Sequence, residues 1–399
     1  MNSINDDKLY SLGLEHYKKN KLDNSYDYLV KIKNKNLNTY KLISNIHIKK
    51  NDFKNAEITL NQILSLDKEN LFALNSLGDL NKLEKKYNVA EKFYKKTIFY
   101  NKNFVPGYFN LASLYEDKGE LKLAKDLYLK VVEIDNKNYA AYFNLQRIDD
   151  NSVTEETIIK IENEIKFNKD SHDKNIAYGH FVLAKYYRKK NKINTEIKEL
   201  SKGHKMFFDS DPINKNAVNY WLEEVPKKMN KKILFNNNDK NNFKSSNFEP
   251  IFILGIPRSG TTLVETIITS GEEKIYNAGE NFIIQKALQN SQLNKKIHET
   301  DESLELDLSF LRKNIIESYM EYFSMKSEKF KFIDRTMTNF FFSEILLELF
   351  PNAKIINCKR DSFHNLVAIY QQCLNNLPWS HNVQDIKKYI SIYNSKLKK

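Results

Sequence analysis

The sequence predicts an all-α superhelix of helical hairpins, followed by an α/β domain with a parallel sheet. Three observations lead there. Small residues recur at a fixed interval in the first half of the 399-residue chain. A polar stretch, Asn236–Asn247, interrupts the pattern. An apolar run of strand length, Ile251–Ile256, then opens into a glycine-containing loop and a helical pattern.

The repeats come first. Ala56, Ala90 and Ala124 stand 34 residues apart, and Ser44, Gly78 and Ala112 keep the same interval. So do Tyr40, Leu74 and Tyr108, and Ile43, Leu77 and Leu111. This is the tetratricopeptide period. It divides the chain into Leu37–Asn70, Leu71–Phe104 and Val105–Asn138. The small residues belong where two helices of a unit cross closely. Polar turns fall between them at Lys49–Lys54, Glu84–Asn88 and Asp117–Leu121. An imperfect unit is expected at Asp7–Asn36, with Ser25 as its small residue, and a weaker hairpin at Ile176–Phe208. Val153–Lys169 reads as helical but out of phase. Each repeat buries its apolar face against its neighbours, so residues 1–210 should form a right-handed superhelix. Its concave face could dock a partner or an acceptor protein; scaffolding or self-association is the other role open to it.

Composition narrows the class. Hydrophobic residues make up 41%, and 23 Tyr with 25 Phe argue against global disorder. The 10 Gly and 7 Pro leave few turns, favouring helices with short connections. A net charge of +12 fits anionic partners such as nucleotides, although most of the Lys reads as solvated surface. Cys358 and Cys373 suggest neither a disulfide framework nor a metal cluster, and a reducing, cytoplasmic setting suits them. No metal is expected, since no HExxH, CxxC or paired-His spacing occurs. Met1–Tyr17 carries Asp6, Asp7 and Glu15 and has no apolar stretch of the signal-peptide kind. No apolar run is long enough for a membrane span, and no aromatic nucleic-acid motif accompanies the basic charge. Neither a membrane nor a nucleic acid is an expected partner.

Residues 211–248 are expected to link the two parts, and residues 249–399 to form the second domain. There Gly255-Ile256-Pro257-Arg258-Ser259-Gly260-Thr261-Thr262 follows a strand and precedes a helix. Such a loop cradles an anion with backbone N–H groups and a helix N-terminus. The spacing is that of a P-loop, but Thr261 stands where a P-loop has Lys, and Arg258 supplies a cation instead. Further strands are expected at Phe330–Ile333 and Ala353–Cys358.

The segment IFILGIPRSGTTLVETII resembles the phosphosulfate-binding segment of sulfotransferases, in particular the tyrosylprotein-sulfotransferase-like branch that bacteria often fuse to tetratricopeptide repeats. The resemblance implies the cosubstrate 3′-phosphoadenosine 5′-phosphosulfate (PAPS), with its phosphosulfate on Arg258, Ser259, Gly260, Thr261 and Thr262. Asn277-Ala278-Gly279-Glu280 is similar to the family segment carrying the catalytic carboxylate, which makes Glu280 the candidate base; Asn281 follows where animal enzymes have a second acid. Arg335 stands where the family usually has Lys, and would stabilise charge on the leaving group. Arg360 would bind the 3′-phosphate. Ala368 occupies the position of a family Ser, so one hydrogen bond to that phosphate would be absent. Asn339 and Phe340 also fit the family pattern.

The implied function is transfer of a sulfuryl group from PAPS to a hydroxyl, of protein tyrosine or a glycan. Because relatives of this kind continue beyond the equivalent of Lys399, a C-terminally incomplete domain is expected. This keeps a second possibility open, a noncatalytic tetratricopeptide binding protein with a vestigial nucleotide domain. A third is a P-loop kinase or NTPase with Asp334 as its acid. His364, near Arg360, reads as a surface or packing residue.

Overall fold

Gly78 shows why the small residues recur. A Cβ at this position would land on the Tyr94 ring, so the two helices of its unit can pack at this spacing only with glycine there. The computed structural model describes residues 2–167, 173–236, 248–271, 274–289, 303–325 and 330–397. By its internal contacts the chain divides into Met1–Lys169 and Asp170–Lys399.

The first unit is a tetratricopeptide-like superhelix. It contains α1 (Asn2–Lys18), α2 (Leu22–Val30), α3 (Leu37–Lys49), α4 (Phe53–Leu66), α5 (Leu71–Leu83), α6 (Tyr87–Tyr100), α7 (Val105–Asp117), α8 (Leu121–Ile134), α9 (Tyr139–Ile148) and α10 (Glu155–Phe167). Ala56, Ala90 and Ala124 are fully buried, as are Ser44 and Ala112. In the imperfect first unit, Ser25 is buried and donates its hydroxyl to the Gly13 carbonyl at 2.7 Å.

One expectation is corrected here. The Val153–Lys169 helix is in phase: α4, α6, α8 and α10 begin at 53, 87, 121 and 155, each 34 residues after the last. α9 likewise begins 34 residues after α7. The period was hidden because the position after Ala124 is occupied by Ile158, which is 2% exposed and fills the space from the other side.

The second unit begins with the hairpin α11 (Lys174–Lys189) and α12 (Ile193–Asp209). Gln371 donates to buried Glu196 at 3.1 Å and Asn375 to the Tyr178 hydroxyl at 2.8 Å, which ties this hairpin to the α/β core. The contacts therefore divide at Lys169, not near residue 210. Residues 213–229 are not an extended linker. They form α13 (Ile213–Asn219), a π-helical turn (Tyr220–Glu224) and α14 (Val225–Met229), and Leu222, Val225 and Met229 join the main core. Residues 237–247 of the expected polar boundary lie outside the described residues.

The main sheet contains β2 (Phe248–Leu254), β3 (Tyr276–Gly279), β5 (Phe330–Asp334) and β6 (Lys354–Asn357), all parallel, in the order β3-β5-β2-β6. A separate parallel pair joins β1 (Lys232–Asn236) to β4 (Ser303–Asp307). Of these, β3 and the β1–β4 pair were not legible in the sequence. β2 is central and apolar on both faces, as a covered parallel strand should be. Phe248, Phe252 and Leu254 enter the large core with Phe332 and Trp379. Ile251 and Ile253 pack on the opposite face with Ile333, Val264 and Ile268. The remaining helices are α15 (Thr261–Thr269), α16 (Ile283–Leu288), α17 (Leu308–Phe323), α18 (Ser343–Leu349), α19 (Ser362–Tyr370) and α20 (Val383–Lys396), with 3₁₀ turns at Met337–Phe342 and Pro378–His381.

Candidate active site

All four strands of the main sheet end at the same edge, and each leads into a segment singled out by sequence. β2 runs into Gly255–Gly260, β3 into Glu280, β5 into Arg335 and β6 into Cys358–Arg360. Parallel pairing makes this convergence unavoidable, and ligand sites of open α/β sheets form at the carboxyl ends for that reason.

The loop after β2 depends on glycine at both ends. A Cβ on Gly255 would lie 2.5 Å from both Ser259 Oγ and Thr261 Cγ2. Gly260 caps α15 with φ 97°, and nothing lies within 4 Å of where its Cβ would point. Arg258 is also left-handed, at φ 68°. That conformation costs a non-glycine residue about 1–3 kcal/mol unless its surroundings impose it. Two side chains do so: Arg360 Nη1 donates to the Arg258 carbonyl at 3.0 Å, and Asn365 Nδ2 to the Pro257 carbonyl at 2.7 Å. With these carbonyls held, the first-turn N–H groups of α15 have no intrahelical acceptor and stand available to an anion. Ser259 Oγ is buried and has no hydrogen-bond partner among the described residues. An orphaned hydroxyl beside an open glycine fits a phosphate-sized anion. Arg258 and Thr262 are exposed and Thr261 half-buried.

Arg335 lies between two carboxylates. Its Nε donates to Glu265 Oε2 at 2.7 Å, its Nη1 pairs with Glu280, and its main-chain N–H donates to the Gly279 carbonyl at 3.0 Å. Glu280 is thus brought to the candidate cation Arg335. Sequence reasoning missed Glu265, and also Asn365. The one signal for Glu265 was an acid interrupting the apolar residues of α15; nothing in the sequence marked Asn365.

The neighbouring residues take structural roles. Asp334 is wholly buried, accepts from Tyr319 and from the Thr336 N–H at 2.7 Å, and burial raises its pKa. It organises the end of β5 and does not present an acid to the loop. Asn281 is buried, donating its N–H to Thr336 Oγ1 at 2.9 Å. His364 is exposed and its Nδ1 lies 2.9 Å from Asp361, the N-cap of α19. Burial pushes the Cys358 thiol up. Among the described residues, no group of three or more His, Cys, Asp or Glu could hold a metal, and no helix is long and apolar enough to cross a membrane.

Residues 250–399 match the sulfotransferase family, and residues 37–70 and 105–138 match the tetratricopeptide repeat. The chain carries a sulfotransferase-family domain. Two curated relatives, both uncharacterized, share its sequence. One, from Aquifex aeolicus, is 30% identical over 267 residues, covering 64% of this chain and 33% of that protein. The other, ycf37 of Cyanophora paradoxa, is 33% identical over 114 residues, covering 28% of this chain and 66% of that protein. The chain thus spans a third of the first relative's length and just under two thirds of the second's. Among solved structures, pilF of Pseudomonas aeruginosa matches at 13% identity and TM-score 0.37, covering 50% of this chain and 90% of that one. MamA matches at 19% and 0.31, covering 41% and 94%. Beside these helical-repeat likenesses, the sulfotransferase-family domain gives the candidate residues a common chemistry.

Proposed function

We propose that the protein transfers a sulfuryl group from PAPS to a hydroxyl acceptor, of a protein tyrosine or a glycan. The observation that carries this is the convergence of Arg258, Glu280, Arg335 and Arg360 at one sheet edge, from segments as far apart as β2 and β6. PAPS, when bound, would supply an activated sulfuryl group and a nucleotide leaving group.

The chain's own residues would do the rest. The N–H groups of Gly260 to Thr262, with the Ser259 and Thr261 hydroxyls and Arg258, would hold the 5′ end of the nucleotide. Arg360 would take the 3′-phosphate while keeping the loop in its left-handed turn. Arg335 would meet charge growing on the leaving group. Glu280, exposed enough to reach an acceptor, would take the hydroxyl proton. It must leave Arg335 to do so, and a competing anion on Arg335 would release it. The helical repeats would dock the acceptor on their concave face, in a reducing, cytoplasmic setting consistent with two free cysteines.

A second possibility, a noncatalytic scaffold, gains support from buried Asn281, which cannot substitute for a second acid. Calorimetry with 3′-phosphoadenosine 5′-phosphate, with ATP and AMP as controls, separates the two. Micromolar binding that is lost in Arg258→Ala and Arg360→Ala is expected. No binding by the folded protein would leave the helical array as its working part.

A further inference from the structure

We infer that Glu265 is a positioning residue, which holds the Arg335 guanidinium by its Nε so that the Nη groups face the transfer site. This role presupposes the sulfuryl transfer proposed above.

The reason begins with α15, whose exposure pattern is inverted. Leu263 and Ile267 are 65% and 61% exposed, whereas Glu265 is the residue this helix buries, at 6%. A carboxylate is not taken out of water without a partner. Its partner is Arg335, across 70 residues of sequence, and its second oxygen, Oε1, is buried with no hydrogen-bond partner among the described residues. Glu265 therefore spends its burial on one contact.

The second part concerns shape. A guanidinium is a rigid plane, so anchoring Nε sets the direction of both Nη groups. Lysine has a single nitrogen and could not bond Glu265 on one side and a second group on the other with the same fixed orientation. Arginine in place of the family's usual lysine and a buried acid on α15 thus form one device. The two carboxylates also differ in accessibility: the Glu265 side chain is 7% exposed and that of Glu280 47%. Water and salt screen the Glu280 contact far more, so an incoming anion displaces Glu280 and leaves Glu265 in place.

The test uses the full chain as wild type, Glu265→Gln, Arg335→Lys and the double variant. Binding of 3′-phosphoadenosine 5′-phosphate is measured by calorimetry, and transfer from PAPS to a tyrosyl peptide by kcat and KM. Glu265→Gln should keep the nucleotide Kd within about threefold while kcat falls at least tenfold. The double variant should be no slower than Arg335→Lys, because both changes remove one arrangement. Independently of turnover, the Arg335 Nε–H NMR signal should persist with nucleotide bound in wild type and be shifted or lost in Glu265→Gln. An unchanged signal, a wild-type kcat in Glu265→Gln, or losses that simply multiply would overturn the role. A wild type that binds no nucleotide would instead remove the sulfuryl-transfer proposal, and this role with it.

Discussion

His381 donates a hydrogen bond from Nδ1 to Nδ1 of His204, 2.9 Å away. The direction follows from the other side of the His204 ring, where Nε2 lies 2.7 Å from the Tyr370 carbonyl and must carry the proton. His204 is then neutral with Nδ1 as acceptor, and the pair joins α12 to the turn that precedes α20. Burial holds both imidazoles far below their ordinary 6.5, His204 at about 4 and His381 at about 3, with mutual repulsion adding to the latter.

A pH dependence follows. The folded state keeps both rings neutral, whereas the unfolded chain takes up protons below about pH 6.5. Stability is therefore complete above that value and falls as the pH drops toward 4. For His204 alone the loss is roughly 3 kcal/mol. Urea unfolding at pH 7.5 and pH 4.5 should show the fall. A His204→Gln/His381→Gln variant should show a much flatter profile, and an equally steep one would assign the effect elsewhere.

Gly255→Ala tests the anion loop without touching a charge. Its new Cβ meets Ser259 Oγ and Thr261 Cγ2 at 2.5 Å, so the loop must move. Overpacking of this kind costs about 1–3 kcal/mol. Calorimetric binding of 3′-phosphoadenosine 5′-phosphate should weaken at least tenfold, and unchanged affinity would mean that the nucleotide does not use this loop.

Gly78→Ala should destabilise the repeat unit by about 1–3 kcal/mol. The added methyl strikes the Tyr94 ring, whose hydroxyl is held by Asp79 at 2.7 Å. Chemical denaturation followed by circular dichroism would report the change. An exposed control, Leu83→Ala, should stay near wild type.

Ile158→Ala probes whether α10 belongs to the repeat array. Ile158 is 2% exposed, and truncating such a residue costs about 2–5 kcal/mol. A loss within about 0.5 kcal/mol, the range of surface changes, would show that α10 is not packed as a repeat helix.

Much of the architecture was legible because it is local. A period of 34 needs only the contact between one helix and the next, so Ala56, Ala90 and Ala124 marked their own positions. The period disappeared at Ile158, where a large residue fills the crossing and only packing reveals the helix to be in phase. The anion loop was legible for a similar reason: strand, turn and helix succeed one another within Ile251–Thr269.

Sequence by itself determined the repeat register, the parallel-sheet class and the loop with its glycine turn, since periodicity and backbone conformation are written in neighbouring residues. Tertiary structure decided what no local pattern contains. It ordered the strands so that Glu280, Arg335 and Arg360 share an edge, and it buried Glu265 against Arg335. It also turned a supposed linker into core and joined His204 to His381. Each of these pairs residues far apart in the chain. Their partners are chosen by which faces the sheet and helices leave to be covered, and that choice exists only once the chain has folded.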